Sequence, residues 1–297
     1  MKIAVWFVLC LIWGTTWLFI KVGLEEIPPF TFAMVRFLLA IAIVGAAIIL
    51  KKIPFPKTGS QWRLLAITGI LQFSINYSLV FWSELHITSG LAAVLQSMIP
   101  VFGLILAAVY LPEEKITPLK VIALMVGVAG VAVIFYEQLS IVSAMAFAGS
   151  AAVVIGAFAA AHASILTKAK GGSMHPAVLL FGQMVCGTGP LIAISLIVEG
   201  SPLRLKLSGV GIFSILYLAV FGTVVSFWLY YWLLTRVEST KAMTIALVTP
   251  LIAVICGGIF LGERLRAETL VGGSLIIASV GLIVFRRKIV PSALHEN

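Results

Sequence analysis

MIPVFGLILAAVYLPE (residues 98–113) and VTPLIAVICGGIFLGE (residues 248–263) are one pattern written twice. Pro100 and Pro250 each open an apolar stretch, and Glu113 and Glu263 each close it, at an offset of 150 residues in both cases. Working outward, the same offset pairs Asn76 with Ser226, Trp82 with Trp232 and Ser89 with Ser239. Further upstream it drops to 147, pairing Lys21 with Lys168, Pro29 with Pro176 and Arg36 with Gln183, and one small indel accounts for the change. Apolar helices resemble one another cheaply, so a lone proline match would mean little. Proline, glutamate and stretch length agreeing in register identify two halves built alike.

The solvent of those halves follows from composition. Apolar residues make up 61% of the chain and charged residues 10%, against about 25% charged in a soluble domain. Ten apolar runs are long enough to cross a bilayer, which takes roughly 20 residues each: about 3–24, 30–50, 62–83, 88–111, 116–136, 143–166, 175–198, 208–233, 240–261 and 267–286. Little is left over for a soluble domain. Five spans per half is an odd number, so the second half enters the membrane in the opposite sense. The expected fold is an all-α membrane protein of ten transmembrane helices in two inverted five-helix repeats, at 1–138 and 139–289, with a tail at 290–297. Inverted repeats place a substrate site near the midplane, between the halves.

The net charge of +9 is explained by topology rather than by nucleic acid, because the basic residues are thinly spread with no aromatic-interleaved basic surface. With the N-terminus inside, the inner segments hold 14 Lys and Arg, the outer ones hold 5 (Lys21, Arg204, Lys206, Arg264 and Arg266), and Arg36 lies within a span. Basic residues are retained on the cytoplasmic side, so both termini are expected there. The first run holds Trp6, Trp13 and Trp17 with no small-residue cleavage site after it, and reads as a span rather than a signal peptide. Cys10, Cys186 and Cys256 sit inside apolar runs and read as packing residues, not as a metal or disulfide framework.

At this point the chain resembles the EamA-type permeases of the drug/metabolite transporter superfamily. The resemblance rests on the ten-span layout, on Ile12-Trp13-Gly14-Thr15-Thr16-Trp17, on Gly90-Leu91-Ala92-Ala93 through Pro100 to Glu113, and on its echo from Ala242 through Pro250 to Glu263. One departure is the sixth span, where many relatives carry a Trp and this chain reads Phe158-Ala159-Ala160-Ala161-His162. The resemblance implies a bacterial inner-membrane carrier that exports amino acids or other small metabolites; a monomer or homodimer without a cofactor is expected.

Polar groups in hydrocarbon usually face the bundle interior or a wet cavity. The third span offers Gln72 and Asn76 one turn apart, with Tyr77 adjacent and Ser83 further along. The eighth offers Thr223, Ser226 and Tyr230 at spacings of three and four. Asn76 and Ser226 being repeat-equivalent suggests one shared cavity; the plainer reading is helix–helix hydrogen bonding. Gln96 and Ser97 precede Pro100, and Thr249 precedes Pro250, where a proline frees a carbonyl or simply kinks the span. Thr16 in the opening motif completes the candidate binding set. Arg36 has two readings, a snorkelling or structurally paired cation and an anion contact. His162 likewise reads either as a neutral hydrogen-bonded group or as a proton-linked switch.

No carboxylate sits at the centre of any span, and the chain has no Asp. That argues against tightly coupled proton antiport and leaves a catalytic His without an Asp to orient it, although Ser164 lies two residues from His162. Uncharged amide, hydroxyl and aromatic groups, among them Trp228 and Tyr231, suit a zwitterion with an apolar side chain. The expected cargo is an aromatic or other neutral amino acid. The alternatives are export of purines, cations or drugs by proton antiport and, more remotely, a membrane enzyme or a non-transporting receptor.

Overall fold

The computed structural model describes residues 1–87, 89–134, 136, 143–201, 207–260 and 267–284. Six of its helices are long and apolar enough to cross a membrane: α1 (Lys2–Leu24), α2 (Pro29–Leu50), α3 (Gly59–Ser83), α7 (Ala144–Lys170), α8 (Pro176–Val198) and α9 (Gly209–Leu234). Shorter apolar helices fill the remaining runs: α4 (Ser89–Gln96), α5 (Ile99–Tyr110), α6 (Pro118–Ile134), α10 (Ser239–Met243), α11 (Ile245–Phe260) and α12 (Ala267–Val284). The repeat-closing residues Leu261, Gly262 and Glu263 lie outside the described residues, as do the 138–139 boundary, the 290–297 tail, and Arg204, Lys206, Arg264, Arg266, Arg286, Arg287 and Lys288.

Local sequence sets the helix starts. Pro29 and Pro176 stand in the first turns of α2 and α8, where a missing N–H costs nothing. Thr58 and Gln61 form a reciprocal capping box for α3, and Ser143 and Ser208 cap α7 and α9. Pro100 does not kink a helix: the chain turns at Ser97–Met98 and α5 starts afresh at Ile99. Its repeat mate Pro250 lies inside α11, and there the break falls earlier, at Thr244.

The two halves carry the same irregularity. α3 loosens into a π-helical stretch at Ile70–Asn76 and α9 does so at Val220–Val225, starting 150 residues apart. A π-turn leaves the regular i→i−4 ladder and is often found at functional positions. Packing is equally symmetric, and it crosses between halves. α1 packs on α9 and α11, and its counterpart α7 packs on α3 and α5. The second spans α2 and α8 face each other, as do the fifth spans α6 and α12. In the latter pair a β-carbon on Gly130 would lie 2.7 Å from the Gly272 carbonyl oxygen, so only glycine permits that approach.

The perimeter shows the solvent. Ile49, Val109, Phe147, Ile197 and Leu270 are all well exposed. So broad an apolar surface would aggregate in water and is matched by lipid.

Polar ties join the halves at both ends. At the end bearing Met1, Glu114 accepts hydrogen bonds from Ser239 N and Oγ and pairs with Lys168 Nζ at 2.6 Å. Lys120 pairs with Glu238 there at 3.0 Å. At the opposite end Glu199 accepts from the backbone N–H groups of Phe30 (2.8 Å) and Thr31 (2.6 Å), placing its charge at the positive N-terminus of α2. Glu26 accepts there from Ser208 N and Oγ, and those two hydrogen bonds hold its carboxyl below the usual carboxylate range.

Candidate functional site

Where α1, α3 and the α4–α5 break meet α7, α9 and α11, the halves leave a cavity of about 150 Å³. A water needs roughly 10–15 Å³ of such space, so a small solute fits and a peptide does not. Both halves line it. Trp13, Thr16, Trp17, Arg36, Gln72, Asn76, Tyr77 and Gln96 come from the first, and Ser164, Phe227, Tyr230 and Thr249 from the second. Ile20, Val80 and Phe81 carry the lining towards the end opposite Met1.

The polar part is organised around Arg36, which is 2% exposed. Nε donates to Thr223 Oγ1 at 2.8 Å and Nη2 to the Gly222 carbonyl at 3.0 Å. The cation lies 5.1 Å from the Tyr77 ring centroid and 5.4 Å from that of Phe37. A β-carbon at Gly222 would lie 2.9 Å from Thr16 Cγ2 and 3.3 Å from Arg36 Nη2, so this glycine lets the α9 backbone reach the guanidinium. Nη1 is buried and has no hydrogen-bond partner. Among the described residues no carboxylate lies within ion-pair distance of Arg36. Its head is enclosed within the bundle.

Across the cavity lining, Gln96 Nε2 donates to Asn76 Oδ1 at 3.2 Å, which leaves Gln96 Oε1 buried and unpartnered. Tyr230 OH donates to Ser164 Oγ at 3.1 Å. The Trp13 ring sits 5.4 Å from Phe227 and 5.3 Å from Tyr230, centroid to centroid, forming an aromatic wall.

The residues expected from sequence therefore divide. Thr16, Arg36, Gln72, Asn76, Tyr77, Gln96, Tyr230 and Thr249 line the cavity. Three others do not. Ser226 donates back to the Gly222 carbonyl at 2.7 Å and Ser97 to the Val94 carbonyl at 2.6 Å; both are fully buried, their hydroxyls spent on local backbone. His162 hydrogen-bonds Tyr110 OH at 3.2 Å and lies beside Phe158, away from the cavity. Ser226 is a short side chain whose hydroxyl turns back to the Gly222 carbonyl, and Thr223, one turn earlier, is the α9 hydroxyl that meets Arg36. Sequence reasoning overlooked Ser164 as a lining residue. The signal was a lone hydroxyl in an alanine-rich run, where small neighbours leave room.

Just past α3, at the end away from Met1, Glu84 Oε1 is buried without a hydrogen-bond partner. Burial pushes this carboxyl up to about 7, and the charge of Lys21 pulls it partly back.

Comparison with known proteins bears on all of this. The family described as EamA-like transporter matches residues 1–136 and 147–285. An uncharacterized transporter of Archaeoglobus fulgidus is 30% identical over 289 residues, spanning 95% of this chain and 99% of its own. The uncharacterized inner membrane transporter YedA of Escherichia coli K12 is 26% identical, spanning 96% and 91%. Protein PagO of Salmonella typhimurium is 27% identical, spanning 97% and 94%. A solved crystal structure superposes with a TM-score of 0.79 over 96% of both chains at 15% identity, a likeness of fold.

Proposed function

This chain belongs to the EamA-like transporter family, and from that premise we propose that it exports small metabolites, with aromatic or other neutral amino acids as its cargo, by alternating access around the cavity between its halves. It is a multi-pass membrane protein, with relatives named as transporters, one of them of the inner membrane. Those names weigh against a catalytic reading. The observation that carries the proposal is the central cavity itself, lined by amide, hydroxyl and guanidinium groups from both halves inside an otherwise apolar bundle. Polar lining at the midplane between inverted repeats is what a carrier requires.

The Glu114–Lys168–Ser239 cluster joins the halves at the end bearing Met1, while the cavity lining extends the other way. This favours reading the conformation as closed at that end and accessible from the opposite face. With both termini cytoplasmic, that is the outward-facing state. No span has a central carboxylate, which favours downhill efflux or exchange over obligatory proton antiport.

The test is counterflow in proteoliposomes with a panel of labelled neutral and aromatic amino acids, purines and organic cations. Saturable uptake of neutral amino acids is expected. Uptake restricted to purines or cations overturns the cargo, and no counterflow by any member overturns the transport reading for this panel.

A further inference from the structure

Arg36 and Gln96 both line the cavity, and each carries one buried polar atom without a hydrogen-bond partner, the guanidinium having the Tyr77 side chain as its neighbour. Arg36 Nη1 is a charged donor, and Gln96 Oε1 is a neutral acceptor. Buried polar groups are ordinarily satisfied, and an unpaired buried cation is among the costliest exceptions. Neither exception is forced by helix packing. Gln183 occupies the position equivalent to Arg36 in the second half and joins spans without a charge. Its Nε2 donates to Thr68 Oγ1 and Thr167 Oγ1, both at 2.9 Å, and its Oε1 accepts from Tyr231 OH. A neutral amide thus does the structural work in full. What Arg36 adds is charge, and one guanidinium nitrogen left over.

Building on the transporter reading, we propose that Arg36 Nη1 and Gln96 Oε1 form a headgroup subsite for small-molecule carboxylates, with the carboxylate on the guanidinium and an ammonium or other N–H donor on the amide oxygen. A carboxylate matches the planar donor geometry of the guanidinium and neutralises it in a low-dielectric wall, where the attraction is strong. Gln96 has its Nε2 committed to Asn76, so its oxygen is the end it can offer. Trp13, Phe227 and Tyr230 supply an apolar surface for the rest of the ligand. A complete fit is an α-amino acid with an apolar side chain. A carboxylate lacking the ammonium fills half the subsite, and an amine lacking the carboxylate leaves the cation unpaired.

The experiment compares four probes of one skeleton: L-phenylalanine, 3-phenylpropanoate, 3-phenylpropanamide and phenethylamine. Each is titrated against detergent-purified protein, wild type, R36Q and Q96L, by shift of the thermal unfolding midpoint. Phenylalanine and 3-phenylpropanoate are expected to raise the wild-type midpoint, and the amide and the amine are not. R36Q weakens both acids at least tenfold, whereas Q96L weakens phenylalanine and spares 3-phenylpropanoate. The subsite is refuted if the amine or the amide binds as tightly as the acids, if R36Q binds the acids unchanged, or if neither acid binds wild-type protein. Should R36Q fail to fold, the four probes on wild-type protein decide alone. Acid binding that depends on Arg36 but is accompanied by no counterflow upholds the subsite and sinks the transport reading, so the two failures are distinct.

Discussion

Arg36 and Gln183, at equivalent places in the two halves, each send their side chain to the third span of the other half. Arg36 reaches Thr223 and Gly222 on α9, and Gln183 reaches Thr68 on α3. The inverted repeat is therefore written in polar contacts as well as in packing. One of the two hubs is closed: all of Gln183's partners are in place. The other is open at Nη1, and it is the open one that meets the cavity. Both positions tie the halves together, and only the Arg36 position leaves a polar atom unpartnered.

Gln183→Leu should damage folding rather than selectivity. It strands Tyr231 OH and removes the amide donor from Thr167 and Thr68 (Thr68 keeps its bond to the Leu64 carbonyl) at a site 1% exposed, and a stranded polar group costs about 1–3 kcal/mol. A lowered thermal midpoint with an unchanged order of preference among transported compounds is expected. An unaltered midpoint would show that the Gln183 hub is dispensable.

Asn76 and Ser226 should part company despite their equivalence in the repeat. Asn76→Leu removes a lining amide and the acceptor for Gln96, so counterflow should fall severalfold while membrane insertion is retained. Ser226→Ala deletes only a hydroxyl bonded to its own helix and should transport within twofold of wild type. Equal loss in both would place Ser226 in the transport path.

Glu84 predicts a pH dependence of stability. Burial raises its carboxyl to about 7 in the folded protein, above the unfolded value near 4.5. The folded state then holds a proton that the unfolded state releases between those values. Stability should be full below about pH 4.5, fall as pH rises towards 7, and level off above. Glu84→Gln should flatten the thermal midpoint over that window. A slope that persists in the variant assigns the dependence to another group.

Glu114→Gln weakens the ion pair to Lys168 and the charge-assisted bonds from Ser239, which tie the halves at the end bearing Met1. A single cysteine introduced at Met243, which lines the cavity, should become more reactive to a membrane-impermeant thiol reagent added from that side. The native cysteines are replaced first. Unchanged labelling would show that this cluster does not hold the cavity shut.

Reporter fusions after residue 297 and within 199–206 should show opposite sidedness, the first cytoplasmic. The basis is the division of basic residues, 14 against 5. Finding both on one side would overturn the ten-span topology.

Sequence alone determined the membrane class, the expectation of two alike halves, and most of the residue types available to a site. Those properties are local or periodic: a bilayer demands apolar length, and a duplication leaves matching landmarks such as Pro100 and Pro250. Which polar groups meet in the cavity was decided by tertiary structure. Asn76 lines the cavity and meets Gln96, while its repeat mate Ser226, with a shorter side chain, turns to its own backbone. Likewise, sequence could pair Arg36 with Gln183 but could not count their partners. Hydrogen-bond satisfaction depends on residues far apart in the chain, here Thr223 and Gly222 for one and Thr68, Thr167 and Tyr231 for the other. Only when the halves pack does one guanidinium nitrogen emerge without a partner.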